Sequence, residues 1–213
     1  MRKTIGKLFL ILMLLVIYAP ILILAVYSFT DSGNIGSIHG FSMQNYVTLF
    51  TKGELRDMIV GTVLLALVSS LLATIFGTMG AIGAFYSKKL AKNFINTANQ
   101  IPVVNADVVT GFSICVLLIV AFGMNKESYV PLLIGHVVLS APFVYLSVVP
   151  KLKQMDASLY EAAMDLGASP SMALRKVVIP QIMPGIVSGF ALAITLSLDD
   201  YFIASYTKPA TFN

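Results

Sequence analysis

From Leu8 to Phe29 the chain runs for 22 residues without a charged side chain, and this run decides the solvent in which the protein folds. About 20 apolar residues wound as a helix cross the roughly 30 Å hydrocarbon layer of a bilayer, where only helices or closed barrels satisfy their own backbone groups. Four further segments repeat the pattern: Ile59 to Tyr86, Asn93 to Phe122, Val130 to Val149 and Pro184 to Ile203. Soluble chains carry about a quarter charged residues to cover their surface. Here only 11% are charged, 57% are hydrophobic and the mean hydropathy is +0.87. The expected class is an all-α, polytopic membrane protein with five predicted transmembrane helices. The single Cys115 excludes a disulfide framework or a multi-cysteine metal site within the chain.

The net charge is +4, but in a membrane protein the position of the basic residues matters more than their sum. Arg2, Lys3 and Lys7 precede the first run, as in a signal peptide. The apolar stretch is too long for one, however, and "SFTDSGNIGS" has no small-x-small cleavage site. A retained first helix with a cytoplasmic start is predicted. Lys88, Lys89 and Lys92 follow the second run, and Lys151, Lys153, Arg175 and Lys176 flank the segment between the fourth and fifth. Ten of the fourteen basic residues then fall on the cytoplasmic side, as the positive-inside rule requires. The residues after the fifth run are expected on the outer side.

The third run, Asn93 to Phe122, would measure about 45 Å as a straight helix, more than one perpendicular crossing. Pro102, with the polar Asn99, Gln100, Asn105 and Asp107, marks where it is expected to break. Irregular backbone at membrane depth is tolerated only where protein or a water-filled path covers it. The break therefore points toward a conduit.

Between the fourth and fifth runs lies a polar stretch, "SLYEAAMDLGASPSMALRKVVIPQIMPG". Ser158 and Glu161 have capping-box spacing, so a helix is predicted from Ser158, closed by Gly167 in the left-handed conformation. Ser169 and Pro170 supply an N-cap and a first-turn proline for a second short helix, which Pro180 is expected to end. Glu161 and Asp165 lie one helical turn apart and repel unless a cation answers them. Arg175 and Lys176, or another protein, are the available sources. A passive loop has no need of two capped helices, and Ala162, Ala163, Gly167 and Ala168 suit close approach of a partner.

"EAAMDLGASPSMALRKVVIPQIMPGI" resembles the EAA loop of the membrane subunits of ABC importers: E-A-A, a glycine four residues on, and a downstream Ile/Leu-Pro element. Glu161, Ala162, Ala163, Gly167, Ile179 and Pro180 match that pattern position by position. The resemblance extends over essentially the whole chain to the spermidine/putrescine permeases, through "IYAPILILAVYSFTDS", "APFVYLSVVPKLKQMDASLYEAAMDLGAS" and "LSLDDYFIASYTKPA". It implies a single type I (MetI-like) transmembrane domain over residues 1–213, with residues 158–184 as the cytoplasmic helices that couple to an ATPase. It also implies a sixth span that this sequence does not include. The implied setting is the inner membrane of a bacterial cell, in a complex with a homologous second permease, two copies of a cytoplasmic ATPase and an extracytoplasmic solute-binding protein. Membrane lipid is the remaining partner, and no nucleic acid is expected. The chain has no G-x-x-x-x-G-K-[ST] phosphate loop, so it is expected to be a transport subunit rather than an enzyme. ATP and its Mg²⁺ would be bound by the partner ATPase, and no cofactor or metal is expected in this chain.

Asp107, Asp199 and Asp200 are the only acids in the predicted spans. An ionised Asp at the centre of a membrane helix costs about 2.5–3.5 kcal/mol on the insertion scale, so three of them imply a purpose. Acids and aromatic faces offset the dehydration of a polycation, and Tyr201, Phe202 and Tyr206 stand close by in sequence. Asp107, Asp199, Asp200 and Tyr201 are therefore the expected lining of a cation pathway. Adjacent helical residues point about 100° apart, so one of Asp199 and Asp200 faces the conduit while the other caps or pairs. His136 reads as a hydrogen-bonded helix residue and Cys115 as packing. Alternatives are an importer of another solute such as ferric iron or phosphonate, an ATP-independent channel, or a membrane enzyme holding Mg²⁺ on Asp199 and Asp200.

Overall fold

A computed structural model describes residues 2–30, 40–156 and 158–209, which are helical over most of their length. By contact density the chain divides at Ile59 into two units.

In the first unit, α1 (Arg2–Ser28) is a single 27-residue helix, and α2 (Gln44–Thr51) is short. The chain turns back after α1 through an isolated bridge between Thr30 and Phe41. Phe29 stacks on Phe41 with ring centroids 5.9 Å apart and meets Tyr46 at 5.2 Å. The Asn45 side chain donates to the carbonyls of Ser28 and Thr30 at 3.3 and 2.9 Å. The first of these bonds occupies a carbonyl that the end of α1 leaves without a helical partner.

The second unit contains most of α3 (Gly53–Tyr86), then α4 (Lys89–Val104), α5 (Asp107–Cys115), α6 (Tyr129–Gln154), α7 (Ser158–Asp165), α8 (Pro170–Ala173), α9 (Ile179–Asp199) and α10 (Phe202–Thr207). Its core is formed where α3, α6 and α9 meet: Ala81 and Ala84 from α3, Val144, Val148 and Leu152 from α6, and Ile182 and Ala193 from α9. The face that α3 buries consists of small residues at three- and four-residue spacing, including Ala66, Ser70, Ala73, Gly77, Ala81 and Ala84. Lipid tails are as apolar as leucine, so membrane helices associate through close backbone packing and shared hydrogen bonds. The buried Ser69 and Ser197 hydroxyls bond across the α3–α9 contact at 3.0 Å.

Among the described residues four helices are long and apolar enough to cross a membrane, and the bent pair α4–α5 makes a fifth crossing if it is one span. The predicted break in the third run is present as a 109° bend. It lies at Asn105 and Ala106, both extended, within the stretch marked by Pro102, Asn105 and Asp107; Pro102 itself remains inside the last turn of α4. Two expectations are corrected at the other end of the unit. Pro180 does not end a second cytoplasmic helix. Residues 174–178 widen into a π-helical turn, which relieves the clash a proline ring makes with the carbonyl four residues back, so helix continues from Pro170 to Asp199. The last long run stops at Asp199 instead of Ile203, and the chain turns a corner at Asp200 and Tyr201 into α10.

Candidate functional site: an exposed helical hairpin and an acidic corner

The hairpin starts at Asp156. Its carboxylate accepts the Ser158 amide at 3.0 Å, and its carbonyl accepts the Leu159 amide at 3.2 Å. The Ser158 hydroxyl also turns to this carboxylate, and the two bonds hold Asp156 below the usual carboxylate range. Asp156 therefore caps α7 in place of the expected Ser158–Glu161 box, because its side chain reaches the first free amide from two residues earlier. The other end is as expected. The Ala168 amide bonds to the Ala163 carbonyl at 3.0 Å, the Gly167 amide to Met164 at 2.9 Å, and Gly167 has φ +86°. This is a Schellman closure, with the glycine in the left-handed position that an L side chain resists. Ser169 then accepts the Met172 amide at 3.4 Å and Pro170 opens α8.

Glu161, Ala162 and Gly167 are exposed, Ala163 and Ile179 half-buried, and Pro180 exposed. Leu166, at the tip, is 90% exposed. Among the described residues the only ion pairs are Arg56–Asp57 and His136–Asp200. Among the described residues Glu161 and Asp165 are exposed and form no ion pair with Arg175 or Lys176.

The four expected pathway residues fall into different settings. Asp107 is exposed at the first turn of α5. Asp199 is exposed at the end of α9, and Tyr201 is 72% exposed. The Asp200 side chain is only 3% exposed. Its carboxylate accepts the Ile203 and Ala204 amides at 3.4 and 3.2 Å, capping α10, and its Oδ2 lies 3.7 Å from Nε2 of the buried His136. Asp200 is the acid that caps and pairs, and Asp199 the one that remains open. The two carboxylates do not converge, and among the described residues no three His, Cys, Asp or Glu side chains group to hold a metal.

His136 is a hydrogen-bonded helix residue as expected, its Nδ1 donating to the Leu132 carbonyl at 2.9 Å. Its partnership with Asp200 was not anticipated. The available signal was one imidazole and one acid in separate apolar runs, each needing a polar partner. Cys115 also does more than pack: its thiol donates to the Tyr206 carbonyl at 3.3 Å. The chain positions α10 through a notch. Ile203 is fully buried against Gly111 of α5 and Gly135 of α6, where an added Cβ would come within 3.2 and 2.5 Å of it.

Residues 77–210, which hold the hairpin and the corner, match a family model described as the binding-protein-dependent transport system inner membrane component. The spermidine/putrescine transport system permease protein PotC of Haemophilus influenzae is 32% identical over 196 residues, covering 92% of this chain and 76% of its own length. PotC of Escherichia coli is 31% identical over 196 residues, covering 92% and 74%. The putrescine transport system permease protein PotI of Escherichia coli is 32% identical over 197 residues, covering 90% and 70%. Among solved structures, the crystal structure of an amino acid ABC transporter with histidines matches with a TM-score of 0.52 and 21% identity, over 73% of this chain and 70% of that one. That likeness concerns the fold alone, which is the MetI-like fold of ABC importer permeases.

Proposed function

The chain belongs to the family of binding-protein-dependent transport system inner membrane components, and from that premise we propose that it carries polyamines, spermidine or putrescine, into the cytoplasm as one permease half of an ATP-driven importer. The observation that carries this reading is its 31–32% identity, over about nine-tenths of its length, to permeases named for those cargoes. In this reading a second, homologous permease completes the conduit, two copies of a cytoplasmic ATPase bind ATP and Mg²⁺, and an extracytoplasmic binding protein delivers the cargo. The α7–α8 hairpin faces the cytoplasm, since Lys151, Lys153, Arg175 and Lys176 flank it in sequence, and Arg2, Lys3 and Lys7 before the first apolar run assign the amino terminus to the cytoplasm by the same rule.

Glu161, Ala162, Ala163 and Gly167 form the docking knob for the ATPase, with Ile179 and Pro180 at its base. The exposed Glu161 and Asp165 meet cations of that partner, and the exposed Leu166 gives the contact an apolar centre. Asp107 and Asp199 attract the ammonium groups of the cargo, and Tyr201 offers an aromatic face to them. These are binding and positioning roles; the chemistry of ATP hydrolysis belongs to the other chain.

The test is reconstitution with its own partner subunits in proteoliposomes. ATP-dependent accumulation of radiolabelled spermidine or putrescine, competed by the other but not by phosphonate or ferric citrate, is expected. ATP-driven uptake of a different solute in place of polyamines, or uptake without ATP, overturns the reading.

A further inference from the structure

Asp199, Asp200 and Tyr201 are consecutive, yet the middle side chain is buried while its neighbours are open. Asp200 uses both carboxylate oxygens on the first amides of α10 and sets one of them against His136. α10 has only six residues, too few to hold a helix by its own bonds, so it depends on this cap and on docking. Docking is supplied by Ile203 in the Gly111–Gly135 notch and by Cys115 on the Tyr206 carbonyl.

The protons on His136 can be counted. The Leu132 carbonyl only accepts, so the Nδ1 facing it carries a proton. Nε2 faces the carboxylate. With a bare lone pair there, the buried negative charge would be met only by the Ile203 and Ala204 amides and by no proton or cation, which is costly. One further proton, on Nε2 or on the carboxylate, makes the pair neutral overall. A neutral, buried pair has no net charge to offer a passing cation.

We infer that His136 and Asp200 act as one positioning unit: they pin the corner between α9 and α10 onto α6, and so fix where Asp199 and Tyr201 stand, without touching the cargo. The role given to Asp199 rests on the proposed polyamine pathway; the pinning does not. The pair differs from the open acids in both burial and charge, and a third acid free in the pathway would lack these partners.

The experiment uses the complete transporter with Asp200→Asn, His136→Gln, the double variant, and Asp199→Asn. The first readout is independent of transport: labelling of Tyr201→Cys by a membrane-impermeant maleimide, with the parent carrying only Cys115 as the blank. Each single variant should change the labelling rate in the same direction by at least about fivefold, and the double variant by no more than the larger single, because members of one unit are not additive. The second readout is spermidine uptake. Asp200→Asn should slow uptake in the parent and add much less to Asp199→Asn, where only the placement of Tyr201 is left to lose. If the Asp199 and Asp200 effects multiply, or if His136→Gln leaves labelling and uptake at parent levels while Asp200→Asn slows uptake, then Asp200 meets the cargo itself and the inference fails. If Asp199→Asn transports normally, the pathway reading fails, and labelling still decides the pinning. Where a single variant lowers membrane abundance, the double should be at least as abundant, since removing both partners leaves neither unsatisfied. A double variant less abundant than either single overturns the unit.

Discussion

Gly167 has φ +86°, and a Cβ built there would have no heavy atom within 4 Å. Any penalty for a side chain at this position therefore comes from the backbone and not from a clash. The left-handed conformation costs an ordinary L residue about 1–2 kcal/mol, less for Asn and more for a β-branched residue. Without that conformation the Ala168–Ala163 and Gly167–Met164 bonds cannot form together, and α7 loses its fixed angle to α8. If docking requires that angle, the fraction of hairpins ready to dock falls by the same free energy. A loss of about 1–3 kcal/mol lowers apparent ATPase affinity by roughly 5- to 150-fold. The assay is binding of the purified partner ATPase to permease in nanodiscs, with cargo-stimulated hydrolysis measured beside it. The expected order is Gly167, then Gly167→Asn, Gly167→Ala and Gly167→Val, at equal membrane abundance. Val binding as well as Gly refutes the coupling assignment. Asn as weak as Val refutes the conformational argument, since the space around the residue is open.

Other perturbations test separate parts of the structure. Asp199→Asn should slow polyamine uptake roughly ten- to a hundredfold if one charged contact of about 1.5–3 kcal/mol is lost in the rate-limiting state; Asp107→Asn should have a smaller effect, and both should keep normal abundance and basal ATPase activity. Gly135→Ala drives a methyl group to within 2.5 Å of the Ile203 side chain and should destabilise the α10 docking by about 1–3 kcal/mol; a fall in the melting temperature in detergent, partly recovered by adding Ile203→Ala, is the check. Asp156 is held below the usual carboxylate range by Ser158, so its capping contribution is complete above the unfolded-state value and is lost as pH falls through the lowered native one. Amide exchange at Ser158 and Leu159 should accordingly quicken under acid, and Asp156→Asn should show the weakened protection already at neutral pH.

Local chemistry made much of this protein legible from its residues. Run lengths and the absence of charge between Leu8 and Phe29 announce membrane helices, because hydrocarbon leaves the backbone few alternatives. Gly167 and Ser169–Pro170 announce a helical hairpin, because turn closure and capping involve residues only a few positions apart. The same local view failed where neighbouring features compete. Ser158 and Glu161 fit a capping box, yet Asp156 reaches the Ser158 amide first. Pro180 looks like a stop, yet the π turn at residues 174–178 accommodates it. The division of labour between Asp199 and Asp200 was beyond sequence altogether. Both are acids at the end of one apolar run, and their difference is set by His136, 64 positions earlier, and by a notch made of Gly111 and Gly135. Burial of a charge is decided by what surrounds it in space, and only the packing of α5, α6 and α10 around the corner brings those residues together.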